Sequence, residues 1–194
     1  MRKIMLLTVA GLLGVQGVSA QQQGGGDLGA LMGALGQMMQ PGTNAAAVAV
    51  VDFRELKGLL PTELPGLKRT SASGEKSGAM GMTISFAEGR YEKDDRSITI
   101  KISDFGGTGF ATMMAAGWSM SEIDRETDTG FERTTTIAGH KAKEEFNTEN
   151  KQGTTEILVA GRFLVEVTGD SVTPEAITEA VGKIDLAKLA ALKK

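Results

Sequence analysis

The chain has 194 residues, no cysteine, one histidine and a formal net charge of −3. That acid excess argues against the basic face by which a nucleic-acid binder neutralises phosphates, and it offers no polybasic attraction to anionic lipid. Without cysteine there can be no disulfide, thiolate metal site or cysteine nucleophile, and a single imidazole excludes a zinc site made of several histidines.

Residues 1–20, MRKIMLLTVAGLLGVQGVSA, have the form of a secretory signal peptide. Arg2 and Lys3 make a positive head, residues 4–15 an apolar stretch, and Val18, Ser19 and Ala20 a small-residue cleavage site. The apolar stretch falls short of the roughly 20 residues needed to cross a bilayer. The expected product is periplasmic or secreted, begins at Gln21 and carries no membrane span after signal cleavage. Losing Arg2 and Lys3 takes its formal charge to −5.

Residues 21–47 are expected to be a flexible leader holding a Leu/Met-rich helical segment and a linker, with 48–194 a single α+β domain. In the leader, QQQGGG is polar and glycine-rich. Leu28, Leu31, Met32, Leu35, Met38 and Met39 then fall on one face of a helix that Asp27 can cap. Gly29, Gly33 and Gly36 each cost about 1 kcal/mol relative to alanine, so this helix alone is marginal. Its apolar face is open to a protein partner or to self-association through Leu28, Leu31, Met32, Leu35 and Met39, while disorder is the competing reading.

The domain opens at Val51, where Asp52 and Glu55 have capping-box spacing and Val51 can staple onto Leu56. Phe53, Leu56, Leu59 and Leu60 share a helical face that Pro61 ends. Pro65 and Gly66 make a turn into a strand at 67–70. Met80, Met82, Ile84 and Phe86 alternate with Thr83 and Ser85, and Ile98, Ile100 and Ile102 alternate with Thr99, Lys101 and Ser103. This period of two predicts half-buried antiparallel strands around a hairpin tip at 93–96. Phe110, Met113, Met114 and Trp118 recur at helical spacing, and the polar stretch 121–130 follows. Strands are expected at 131–137, 141–147, 154–160 and 163–168, joined by short connections. Thr173 and Pro174 start a helix whose buried face is Ile177, Val181 and Ile184, and a last short helix covers 186–192.

Four stretches could carry chemistry. Glu122, Asp124, Glu126 and Asp128 alternate as calcium ligands do, but Gly130 comes one place late and Thr135 stands where a glutamate is required, which favours a solvated loop. GEKSG at 74–78 lacks the earlier glycine of a phosphate-binding loop and reads as a mobile turn. His140 follows Gly139 in a hairpin connection, and Glu144 shares a strand face with Ala142 and Phe146, where it could be a partly buried acid. The methionines at 80, 82, 113, 114 and 120 are better explained as core filling than as copper(I) ligands. No residue is assigned a catalytic, cofactor-binding or metal-binding role.

The element order from Val51 to Leu192, with LLPTELPGLKRT at 59–70 and GRFLVEVTGDSVTPEAITEAVGKIDL at 161–186, resembles the PsbP-like fold of small exported α/β/α sandwiches. It also resembles uncharacterised exported bacterial proteins with similar LLPTELPGLKRT and GRFLVEVTG stretches. The resemblance implies an antiparallel sheet of about six strands with helices packed on it, and accessory or binding roles. The expected function is that of an exported, non-catalytic cell-envelope protein acting through protein contacts. A small-molecule or lipid carrier with a cavity near Phe110, Met114 and Trp118 is the alternative. A carboxylate-based hydrolase, which needs two acids converging in one pocket, is the third reading.

Overall fold

Alternation of apolar and polar residues drives long stretches of this chain into strands, and a computed structural model describes residues 49–79, 82–107, 111, 113 and 115–193. The signal-peptide and leader readings, with Leu28, Leu31, Met32, Leu35 and Met39, lie outside the described residues, as do Met80, Phe110 and Met114. The described fold falls within one compact unit, Ala45–Lys194.

Helix α1 (Phe53–Lys57) begins where the Asp52 carboxylate accepts a hydrogen bond from the Arg54 N–H. It leads through a turn to the buried Leu59 and Leu60. Strand β1 (Glu63–Leu64) turns at Pro65 and Gly66 into β2 (Leu67–Ala79), which pairs along its length with β3 (Met82–Lys93). After a two-residue turn comes β4 (Arg96–Asp104). The chain then leaves the sheet, forms the short α2 (Ala116–Ser119), and returns as β5 (Asp124–Thr127), β6 (Gly130–Ile137), β7 (His140–Asn147), β8 (Gln152–Val159) and β9 (Phe163–Asp170). Helices α3 (Pro174–Val181) and α4 (Leu186–Ala191) close the chain, capped by the Thr173 hydroxyl and the Asp185 carboxylate.

The strands form one nine-stranded antiparallel sheet in the order β1-β2-β3-β4-β9-β8-β7-β6-β5. Two meanders meet where β4 pairs with β9, so the middle of the sheet joins residues more than sixty positions apart, Ile100 opposite Val167 and Ile102 opposite Val165. One face is packed. Ile98, Ile100, Ile102, Val165, Val167, Ile157 and Val159 all lie at 0–1% exposure, against Leu56 and Leu60 beside α1, Ile177 and Val181 of α3, and Leu186 and Leu189 of α4. The other face is touched at one end by α2, where Trp118 packs on Leu164 and against Leu158, Phe105 and Ile123.

This architecture overturns the expected fold. The sheet has nine strands where about six were predicted, and the described helices are four to eight residues long, so the sheet-dominated fold replaces the PsbP-like sandwich. Two of the extra strands, β1 and β5, are two and four residues long and exist because a neighbour supplies their hydrogen bonds. They are too short to show a period. The strand predicted at 67–70 runs on to Ala79, so GEKSG is not a turn but the far half of β2, paired with residues 83–87.

The apolar alternation of β3 also faces away from where burial would put it. Ser85, Ala87, Gly89 and Tyr91 lie on the packed face, while Ile84 and Phe86 are half-buried on the other. Register with β4 decides this, because Ala87, Gly89 and Tyr91 stand opposite Ile102, Ile100 and Ile98. Tyr91 is fully buried, and its hydroxyl donates to the Pro61 carbonyl at 2.7 Å. Its ring lies over Gly89, where an added Cβ would sit 3.0 Å from the hydroxyl oxygen. Burial raises the Tyr91 pKa, a push that the neighbouring Arg69 opposes.

Candidate interaction surface

The face turned away from the main core carries ordered rows of polar side chains, set by strand register. One row runs Glu88, Lys101, Glu166, Glu156, Lys143 and Thr134 across β3, β4, β9, β8, β7 and β6. The next runs Arg90, Thr99, Thr168, Thr154, Glu145 and Glu132, and reaches Arg125 on β5. Lys143 spans the rows, with Nζ 3.0 Å from both Glu132 Oε1 and Glu145 Oε2. Arg125 adds a contact to Glu132 at 3.2 Å, and Arg90 Nε donates to Glu92 at 2.6 Å. The Lys143 hydrogen bond and charge hold the Glu132 carboxyl below its usual pKa.

Glu156 and Glu166 stand directly opposite one another in this lattice. Burial among its neighbours is the main cause that raises the Glu156 pKa, and the charges of Glu166 and Glu145 add to it, with Lys143 pulling the other way. Lys143 stands opposite Glu156 in the register but spends its contacts on Glu132 and Glu145. A carboxyl whose pKa is raised in this way keeps its proton to a higher pH than an ordinary glutamate and, while protonated, can donate as well as accept a hydrogen bond. Among the described residues no group of three or more histidine, cysteine or acidic side chains is placed to hold a metal ion.

A second polar assembly is buried at one end of the packed face. Asp104 continues the phase of Ile98, Ile100 and Ile102 and is fully buried, as is Arg162 to within 3%. Arg162 grips it with two bonds, Nε to Oδ1 and one terminal nitrogen to Oδ2, each 2.8 Å. The carboxylate also accepts from the backbone N–H of Gly106 at 2.9 Å and of Val51 at 2.7 Å, and Arg162 donates to the Ala49 carbonyl at 2.9 Å. The pair therefore ties the lead-in segment at 49–51 to the end of the sheet. Ser85, opposite Asp104 on β3, is fully buried, and its hydroxyl has no hydrogen-bond partner among the described residues.

A third feature is a shallow pocket of about 30 Å³ between the sheet and α3, lined by Phe131, Arg133, Glu144, Phe146, Thr155 and Ile177 among others. That volume holds about one water molecule. Glu144 does share its face with Ala142 and Phe146, its side chain 14% exposed, and it accepts from Arg133 Nε at 2.7 Å. The Arg133 guanidinium lies 4.8 Å from the centre of the Phe131 ring, so the acid is neutralised within a packed ion pair.

The remaining sequence candidates do not converge. His140 opens β7 opposite Ile137, after a turn in which Ala138 and Gly139 have φ of 49° and 82°. The acidic stretch 122–128 is no solvated loop: Asp124 and Glu126 belong to the edge strand β5. Met113 and Met120 are 38% and 85% exposed, so they do not fill the core as expected. Trp118 is close-packed at 7% exposure. Asp104, Arg162, Glu156 and Glu166 were missed by sequence reasoning. Asp104 left a signal, an acid in phase with three isoleucines, whereas Arg162 sits in a hairpin connection and left none.

No family model, curated protein or solved structure matches this chain.

Proposed function

We propose that this chain is an exported, non-catalytic protein of the cell envelope that works through protein contacts, with the charged and threonine-lined face of its sheet as the contact surface. The observation that carries this reading is the ordered lattice across β3, β4, β9, β8, β7 and β6, with α2 covering one end of it among the described residues. Complementary charge on such a surface selects partners and speeds encounter more than it adds affinity. The hydrolase reading fares worse, because Glu156 and Glu166 stand on this broad face and Glu144 is committed to Arg133. The carrier reading loses support from Trp118, which is packed where a cavity was expected.

A photo-reactive amino acid placed at Thr99 or Thr168, in cells making the full chain, tests the surface. The expected result is a specific adduct with an envelope protein, abolished when Lys101 and Lys143 are both changed to Glu while the domain still melts cooperatively. Adducts unaffected by that charge reversal, or none at all, overturn it. The address has its own test: mass spectrometry of the cell-envelope fraction should find a product beginning at Gln21, and an intact amino terminus in the cytosol refutes export. Removing the leader up to about Thr43 should change association without unfolding the domain. If every partner and the oligomeric state survive that truncation, the leader has no part in binding.

A further inference from the structure

The two ends of the sheet are built differently. β5 is four residues long, charged and wholly exposed, the kind of edge that resists further pairing. β2 is thirteen residues long, and β1 pairs only with Leu67 and Lys68 on its outer side. Past the bulge between Arg69 and Ser71, residues 71–77 pair with β3 on one side and with no described strand on the other. Their sequence, SASGEKS, holds no proline and no bulky apolar side chain. Over these seven residues, roughly 23 Å, the outward N–H and C=O groups, carried by every second residue, meet no described strand and are open to an incoming one.

We infer that this edge pairs antiparallel with the same edge of a second copy of the chain, about a two-fold axis through Gly74. A two-fold axis perpendicular to the sheet leaves each side chain on its own face, so facing residues must lie an even number of positions apart. Centring on Glu75 or on Lys76 sets like charges directly opposite, which is destabilising. Centring on Gly74 faces Ser73 with Glu75 of the second copy, Ala72 with Lys76 and Ser71 with Ser77. It uses the whole of 71–77 and sets no like charges directly opposite, the two Glu75 side chains being diagonal neighbours. Centring on Ser73 also avoids a clash but pairs fewer residues before the bulge.

The residue at the axis fits this role. A Cβ at Gly74 would lie 2.6 Å from the Phe53 ring, so the ring occupies the space of the missing side chain on the packed face. Phe53 is half-buried, with the Arg54 guanidinium 4.4 Å from its ring centre. In the dimer the two Phe53 rings approach each other across the joined strands, and each shields the other's open side. The second copy thus supplies the hydrogen-bond partners of the edge and an apolar neighbour for the aromatic ring above it.

The absence of native cysteine makes the register directly testable in the full exported chain. Facing Cα atoms in an antiparallel pair are about 4.5–5.5 Å apart, within disulfide reach. A mixture of the Ser73→Cys and Glu75→Cys variants should therefore cross-link under mild oxidation far more than either variant alone. Within its own chain Ser73→Glu faces Glu88, which should lower Tm by a few degrees; opposite Glu75 of the second copy, twice per dimer, it should weaken dimerisation up to about tenfold in sedimentation equilibrium. Adding Glu75→Lys should restore it. A wild-type chain that stays monomeric up to roughly 100 μM, where a contact of this kind should register, overturns the inference. So does equal cross-linking of the single variants, or a Ser73→Glu dimer as strong as wild type. Reversing the charges of Lys101 and Lys143 should leave this dimer intact, which separates its failure from that of the contact surface proposed above.

Discussion

The two faces of the same sheet obey different rules although they share every strand. On the packed face, register brings isoleucine and valine from β4, β9 and β8 into one layer, and burial of apolar area holds it. On the other face the same register brings glutamate, lysine and threonine into rows, and each polar group keeps access to water or to an opposite charge. The comparison teaches that strand pairing is indifferent to side-chain chemistry, and that what lies above each face decides which chemistry is tolerated. The Asp104–Arg162 pair is the exception on the packed side. It is accommodated because both oxygens of the carboxylate accept two hydrogen bonds each, from Arg162 and from the Gly106 and Val51 backbone.

The largest expected effect tests that exception. Asp104→Ala leaves the Arg162 charge buried without its partner and should cost about 3–5 kcal/mol in urea unfolding. Replacing Asp104 and Arg162 together with apolar residues of similar volume should recover most of that loss, which would show that the pair fixes the 49–51 segment more than it stabilises the fold.

Next comes the direct comparison of neighbouring residues on opposite faces. Ile100→Ala should cost about 2–5 kcal/mol, whereas Thr99→Ala, one residue away on the polar face, should stay within about 0.5 kcal/mol. Equal losses would mean that the polar face is covered and packed in solution.

A smaller effect sharpens the electrostatics of that face. Because the folded pKa of Glu156 is raised, folding is favoured below its unfolded value near 4.5, and stability is lost as pH rises through the raised folded value. Glu156→Gln should therefore stabilise the domain at neutral pH, by less than about 1 kcal/mol given the exposure of the site, and should flatten this stretch of the pH profile. A destabilised variant would mean that the charged form is bound by something. The smallest effect is the coupling of Lys143 with Glu132, expected at about 0.2–1 kcal/mol in a double-mutant cycle and weaker in high salt.

Much of the domain was legible in local chemistry. The α1 start at Asp52, the hairpin tip at 93–96, the last four hairpin-linked strands and the Thr173–Pro174 helix start all follow from capping, turn and period-two signals that act over a few residues. Illegible were features created by contact across long sequence distances. GEKSG resembles a turn because it is small and polar, yet a long partner strand and the Phe53 ring draw it into β2. Ile84 and Phe86 alternate as a core strand would, and only pairing with β4 reveals that this side of β3 lies away from the main core. Of the candidate surface, Glu144 was visible from its phase, while Glu156 and Glu166 became a pair only through the β8–β9 register.

The sequence by itself determined a cysteine-free, acidic chain with an isoleucine- and valine-rich antiparallel core, because composition and period-two alternation are local properties. Tertiary structure alone decided the joining of two meanders at β4 and β9, the face each strand buries, the carboxylates that meet and the open length of the β2 edge. Those outcomes depend on which strand lies beside which, and hydrogen-bonded pairing between distant segments leaves no trace in the residues on either side of them.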